Sequence, residues 1–227
     1  MSQTTPSAPR SAAPFILIGA LILGIVLMGG LLLTRLQQAA VIPPTPTFAP
    51  SIPGITPIEP GREVVDFTLP TIDGDLSLSD LRGGYTLMFF GYTHCPDFCP
   101  LTLAEFKRVK GLLGDDAERV NFLYISVDPA RDTPQVVGEY VRRFDAEFLG
   151  MSGDEAVLTQ ITPDYGLYYE LRTDEGRGDN YLVDHSTASY LIDPQRRLRA
   201  VFSYDASPEA ITDYITSVMA ADAGATA

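Results

Sequence analysis

The two cysteines of this chain stand in the stretch GYTHCPDFCP, Gly91 to Pro100, with three residues between Cys95 and Cys99. His94 directly precedes the first of them, and the chain's other histidine, His185, lies far downstream in YLVDHSTASYLID. Thiols so placed can act as a structural clip, as a redox pair, or as the sulfur half of a metal site. A clip is the weakest reading, because a bridge across so short a loop constrains little of the unfolded chain. Two cysteines also fall short of the four or more from which disulfide scaffolds are built.

Pro96 and Pro100 bias the residues before them, Cys95 and Cys99, away from helical angles. Both thiols are therefore expected in the loop and cap turn ahead of a helix, not on its shaft. A helix N-terminus presents unpaired N–H groups and partial positive charge, which favour thiolate over thiol. Thiolate is the form that attacks a disulfide and also the form that binds a metal. The spacing leans away from disulfide oxidoreductases, which usually carry two intervening residues.

A metal would need a third ligand. Neighbouring side chains of an extended segment point to opposite faces, so His94 is poorly placed to share an ion with Cys95. A partly exposed residue that tunes the first thiolate is the plainer role for it. His185 stands just before a predicted strand whose end can meet the Cys95 loop at the sheet edge. Shared coordination requires an imidazole nitrogen within about 5 Å of both sulfurs, since metal bonds are about 2.0–2.3 Å long.

The elements that must position these groups read as follows. DFTLPTIDGDLSLSDLRG alternates around Asp73-Gly74, the mark of a hairpin. YTLMFF (Tyr85 to Phe90) and VNFLYISV (Val120 to Val127) are short apolar runs, as expected for strands covered on both faces. Pro100 can open a helix whose Leu103, Phe106, Val109 and Leu113 share a face. Thr133-Pro134 caps a second helix with Val136, Val137, Tyr140, Val141 and Phe144 in one stripe. YGLYYELR (Tyr165 to Arg172) reads as a strand. TASYLID and LRAVFSY flank the turn at Asp193-Pro194-Gln195 and should pair antiparallel. Ser207-Pro208 caps a last helix with Ile211, Tyr214, Ile215 and Val218 inward. A central mixed sheet with helices on both faces fits this order.

Ahead of this α/β part, Phe15 to Leu33 (FILIGALILGIVLMGGLLL) carries no charge. As a helix it would be about 28 Å long, close to the hydrocarbon thickness of a bilayer. It exceeds a typical signal-peptide core, and Thr34-Arg35-Leu36 is no small-residue cleavage site, which leaves Ala39-Ala40 as the alternative place for a cut. The proline-rich stretch Val41 to Gly61 favours extended polyproline II and can hold a domain about 60 Å from the membrane. The expected organisation is a tail at 1–14, an anchor helix at 15–34, a linker at 35–61, a globular domain at 62–222 and a short tail at 223–227. Net charge is −13, so a phosphate backbone would be repelled and nucleic acid is not an expected partner.

In this order and spacing FFGYTHCPDFCP, ISVDPARDTP and LVDHSTASYLID resemble the Sco/SenC family of membrane-anchored copper-binding proteins. The likeness runs from about Glu63 to Ala220, and the three motifs together are far more specific than any one. The resemblance implies a thioredoxin-like fold and a role in assembling cytochrome c oxidase. That role is delivering copper to the dinuclear copper site of subunit II, or reducing that site's cysteines. It implies copper, Cu(I) first and Cu(II) as the alternative, held by Cys95, Cys99 and His185. If the pair is redox-active instead, Cys95 attacks and Cys99 resolves. Asp128, Arg131 and Asp184 match polar positions near the site. A single-pass protein with its N-terminus cytoplasmic and its domain on the extracytoplasmic, periplasmic side is implied as well. Phe98 stands where the family more often has an aliphatic residue, and its bulk can alter access. Asp184-His185-Ser186 takes the place where thioredoxin-like oxidoreductases put a cis-proline facing the dithiol.

Overall fold

The computed structural model describes residues 52–81, 84–173 and 178–225, together with Met28 and Gly30, both helical. The expected anchor at 15–34, the tail before it and the linker as far as residue 51 lie outside the described residues. Among the described residues no helix is long and apolar enough to cross a membrane.

Among the residues described from 52 onward, ten strands and four α-helices follow in chain order. They are β1 (Ile55–Glu63), β2 (Thr68–Thr71), β3 (Gly74–Ser77), β4 (Tyr85–Gly91), α1 (Phe98–Leu113), β5 (Val120–Ser126), α2 (Pro134–Arg142), β6 (Leu149–Ser152), α3 (Glu155–Tyr165), β7 (Tyr169–Leu171), β8 (Val183–His185), β9 (Ser189–Ile192), β10 (Arg197–Phe202) and α4 (Pro208–Ala225). Eight strands form one mixed sheet in the order β1-β10-β9-β4-β5-β6-β2-β3, and β7 pairs with β8 in a separate ribbon.

The two apolar runs sit at the middle of the sheet. β4 is buried at every position, and β5 at all but one. They run parallel, with Phe89 opposite Tyr124 and Gly91 opposite Ser126, joined through α1 as a parallel pair requires. One face of the sheet carries Phe122, Tyr124 and Phe202, which meet Phe106 of α1, Tyr140 of α2 and Tyr214 of α4. The opposite face carries Phe90 and Tyr190, which meet Tyr165 of α3. Helices therefore cover both faces, as the element order predicts. The hairpin at Asp73-Gly74 forms as β2–β3, with Gly74 at φ 119°, a conformation only glycine adopts without strain. The caps at Thr133 and Ser207 form too, accepting from the backbone N–H groups of Val136 and Ala210.

Three boundaries differ from the sequence reading. The linker was expected to reach Gly61, yet Ile55–Glu63 is a strand paired antiparallel with β10. β1 is an edge strand, and its register shifts between Pro57 and Arg62, where a missing N–H costs no ladder bond. Tyr165 was expected to begin a strand and instead ends α3. Gly166, left-handed at φ 59°, stops that helix, so the strand is only Tyr169–Leu171. The C-terminal tail was expected from 223, but α4 continues to Ala225 in alanine-rich sequence of high helix propensity.

The topology also explains how distant residues meet. The loop carrying Cys95 leaves the C-terminal end of β4. β9 runs antiparallel to β4 with Ser189 opposite Phe89, so the β8–β9 connection arrives at that same end of the sheet.

Candidate metal centre

Cys95 sits in the turn between β4 and α1, closed by its own N–H donating to Tyr92 O at 3.2 Å. Cys99 is not ahead of the helix, as the proline argument implied, but inside its first turn, since α1 begins at Phe98 with Asp97 as N-cap. The first N–H groups of a helix have no partner within it, so Pro100 at the third position forfeits no bond. Cys99 is fully buried and Cys95 partly exposed.

His185 closes β8 and points its ring at this pair. Its Nε2 lies 3.6 Å from Cys99 Sγ, and the ligand atoms of Cys95, Cys99 and His185 all fall within 4.8 Å of one another. That meets the distance required for shared coordination. Nδ1 is 2.9 Å from the carbonyl oxygen of Ser186. A carbonyl can only accept, so Nδ1 carries the proton and the Nε2 lone pair faces the sulfurs. The ring is wedged edge-on between Phe89 and Tyr92, with centroids at 5.8 and 5.7 Å.

The two thiols are electrostatically unlike. The hydrogen bond offered by Cys99 holds the Cys95 thiol down to about 3. His185 and the N–H groups of Cys99 and Asp97 add to this, against burial that pushes it up. Burial pushes Cys99 far above the ordinary thiol range, and the hydrogen bond and charge of Cys95 add to the rise. At neutral pH the pair is one thiolate and one thiol sharing a proton, a state suited to metal capture or to disulfide exchange.

His94 is not part of the cluster. Its ring is half-exposed, and Nδ1 lies 3.2 Å from Thr93 Oγ1 and 3.7 Å from Asp132 Oδ1. Asp128 and Arg131 stand behind the site. Arg131 Nε donates to Asp128 at 2.5 Å, its guanidinium lies 3.6 Å from the Tyr181 ring centroid, and it also faces Tyr92. Tyr92 in turn braces His185, which connects this pair to the ligands through ring contacts. Asp184 is exposed and paired with Arg172, Nε to Oδ2 at 2.8 Å. Phe98 lines the open side with its ring edge-on to Tyr204, centroids 4.8 Å apart. A cleft of about 300 Å³ opens there between the Cys95 loop and residues 182–187.

Sequence reasoning passed over three residues. Asp132 is wholly buried, and its carboxylate accepts from Thr93 N at 2.7 Å, Thr93 Oγ1 at 2.5 Å and Ser126 Oγ at 2.6 Å, tying down the strand end that launches the Cys95 loop. Gly91 lets α1 approach β4, because a Cβ there would stand 2.7 Å from both Cys99 Sγ and Tyr124 Oη. Tyr124 is itself fully buried. Their signals were present, an acid in ISVDPARDTP, a glycine ending an apolar run and a tyrosine within one, but each acquires meaning only from its neighbours in space.

Comparison with known proteins supplies a context for this geometry. The SCO1/SenC family profile matches residues 56–220. A SCO2-like protein of Rickettsia felis is 33% identical over 151 residues, spanning 66% of this chain and 74% of that one. Among solved structures, apo Sco1 from Thermus thermophilus is 32% identical with a TM-score of 0.65, covering 72% of this chain and 95% of that one. Bradyrhizobium japonicum ScoI, solved with copper bound, is 36% identical with a TM-score of 0.60, covering 68% and 98%. The mixed α/β, thioredoxin-like architecture expected from the sequence is the fold these structures share.

Proposed function

The chain belongs to the SCO1/SenC family, and on that premise we propose that Cys95, Cys99 and His185 seat one copper ion, Cu(I) first, as cargo for the dinuclear copper site of cytochrome c oxidase subunit II. The observation that carries the reading is the convergence of two sulfurs and one imidazole nitrogen within 4.8 Å. Copper in the similar ScoI of Bradyrhizobium japonicum supports the choice of metal.

The donor set favours Cu(I) by its chemistry. Two thiolates and a neutral imidazole are soft and few, whereas zinc seeks a closed tetrahedron of four ligands. The Ser186 carbonyl keeps the Nε2 lone pair available. An ion held by three donors beside an open cleft leaves room for an acceptor thiolate to bind before a donor lets go, so the cargo passes by ligand exchange without release. An anchor at 15–34 would confine the search to partners in the same membrane and raise effective concentration. In this reading the N-terminus is cytoplasmic and the domain faces the periplasmic side.

A second reading is favoured by the contrast between the thiols. A partly exposed Cys95 thiolate with a buried Cys99 beside it has the attacking and resolving sulfurs of a reductase for the acceptor's cysteines. Competition for Cu(I) against a calibrated chelator separates the two. Copper delivery predicts one tightly held equivalent, passed on to a subunit II fragment whose cysteines are already reduced. A protein that retains no copper, yet reduces the disulfide form of that fragment, would leave the reductase reading in its place.

A further inference from the structure

Tyr124 lies in the middle of β5, in the most heavily covered part of the sheet, with its whole side chain excluded from solvent. Its hydroxyl closes no hydrogen bond of good geometry, and Cys99 is the side chain with which it interacts as a hydrogen-bonding group. A buried hydroxyl without a good bond costs about 1–3 kcal/mol, so phenylalanine would serve the packing better unless the oxygen has a use. Across the gap left by Gly91, the atom facing that oxygen is Cys99 Sγ. Both stand 2.7 Å from the point a Cβ on Gly91 would occupy, and the Phe89 ring closes the third side at 2.8 Å. The register sets this up, with Phe89 directly opposite Tyr124 and Gly91 two residues further along β4.

We propose that Tyr124 is a positioning residue for the dithiol, donating its hydroxyl proton to the Cys99 sulfur in the reduced, ligand-competent form. A thiol or thiolate sulfur accepts such a bond better than a disulfide sulfur does. The bond therefore favours the reduced pair over the oxidised one and keeps Cys99 ready to serve as a donor. It uses the inner side of the sulfur, away from the cleft, and leaves the His185 side free. The inference rests on the reading of Cys95 and Cys99 given above, whether they carry copper or exchange disulfides.

The test compares the full chain in detergent with Tyr124→Phe, which keeps the ring and removes only the oxygen. Tyr165→Phe is the control, since it deletes another buried hydroxyl, one that faces Phe90 and Tyr190 instead of the site. Each metal-free protein is equilibrated with glutathione buffers. The two thiols give two electrons and two protons to glutathione disulfide, forming the Cys95–Cys99 bond and two molecules of reduced glutathione. For Tyr124→Phe the equilibrium should shift about fivefold toward the protein disulfide, the effect of one ordinary hydrogen bond, or about 20 mV. Tyr165→Phe should leave it unchanged. Equal constants for parent and Tyr124→Phe, an equal shift in the control, or parent thiols that no glutathione ratio oxidises would each overturn the proposal. Copper(I) competition on the parent separates the two readings. A parent that binds no copper but shows the Tyr124-dependent shift defeats the copper reading alone. A parent that binds copper with no such shift defeats this one alone.

Discussion

His185 Nε2 lies 3.6 Å from Cys99 Sγ, although 86 positions separate them in the chain. The contact is a product of sheet order. β9 pairs antiparallel with β4, so the segment entering β9 is delivered to the end of the strand from which the cysteine loop departs. The Ser186 carbonyl then turns the imidazole so that its lone pair faces the sulfurs.

Removing that lone pair should be costly. His185→Ala is expected to weaken Cu(I) binding by more than a hundredfold, beyond the ten- to hundredfold typical of changes outside the ligand set. Chelator competition reads the loss, and an affinity within tenfold of the parent would mean the imidazole is not a donor.

The unlike thiols set the pH dependence. Cys95, held down to about 3, is already thiolate at neutral pH, whereas the raised Cys99 thiol still holds its proton. Copper must displace that one proton, so binding tightens as pH rises, by about tenfold per unit between roughly pH 7 and 9. Competition titrations at several pH values give the slope. A flat line would show that Cys99 binds without ionising or does not bind, and a slope of two would show that Cys95 is protonated as well.

Gly91→Ala tests the close approach of α1 to β4. The new methyl would stand 2.7 Å from Cys99 Sγ and Tyr124 Oη, and both side chains are fully buried. Overpacking of this kind costs about 1–3 kcal/mol, and here it also displaces a ligand. Urea unfolding should show a lowered midpoint together with weaker copper binding. Parent-like values in both would mean that the helix gives way freely.

Asp132→Ala tests the anchor beneath the cysteine loop. The substitution leaves the part-buried Thr93 N–H and hydroxyl and the buried Ser126 hydroxyl without their acceptor. A loss of about 3 kcal/mol or more is expected from denaturant unfolding, since hydrogen bonds to a charged group contribute about 1.5–3 kcal/mol each. A change under 1 kcal/mol would place the restraint on the loop elsewhere.

Much of this is legible in the sequence. The nearly continuous apolar runs Tyr85–Phe90 and Val120–Val127 read as strands covered on both faces, because a half-exposed strand alternates. The stripe from Val136 to Phe144 has the period of a helix, and two thiolate-forming residues beside a helix start announce soft chemistry. Such patterns are local, and each residue's environment follows from its near neighbours in the chain. The proline-rich edge strand β1 was misread for the same reason, since only pairing with β10 makes an extended segment into a strand.

The chain's own order thus determined the two sulfurs, their place near a helix start, and the strands that carry them. Tertiary structure decided how His185, already favoured over His94 by strand alternation and the family resemblance, reaches them, that Asp132 ties down the loop, and that Gly91 leaves the space across which Tyr124 faces Cys99. These are relations between segments far apart in sequence. They depend on which strand ends share one edge of the sheet, and no periodicity within a single segment encodes that.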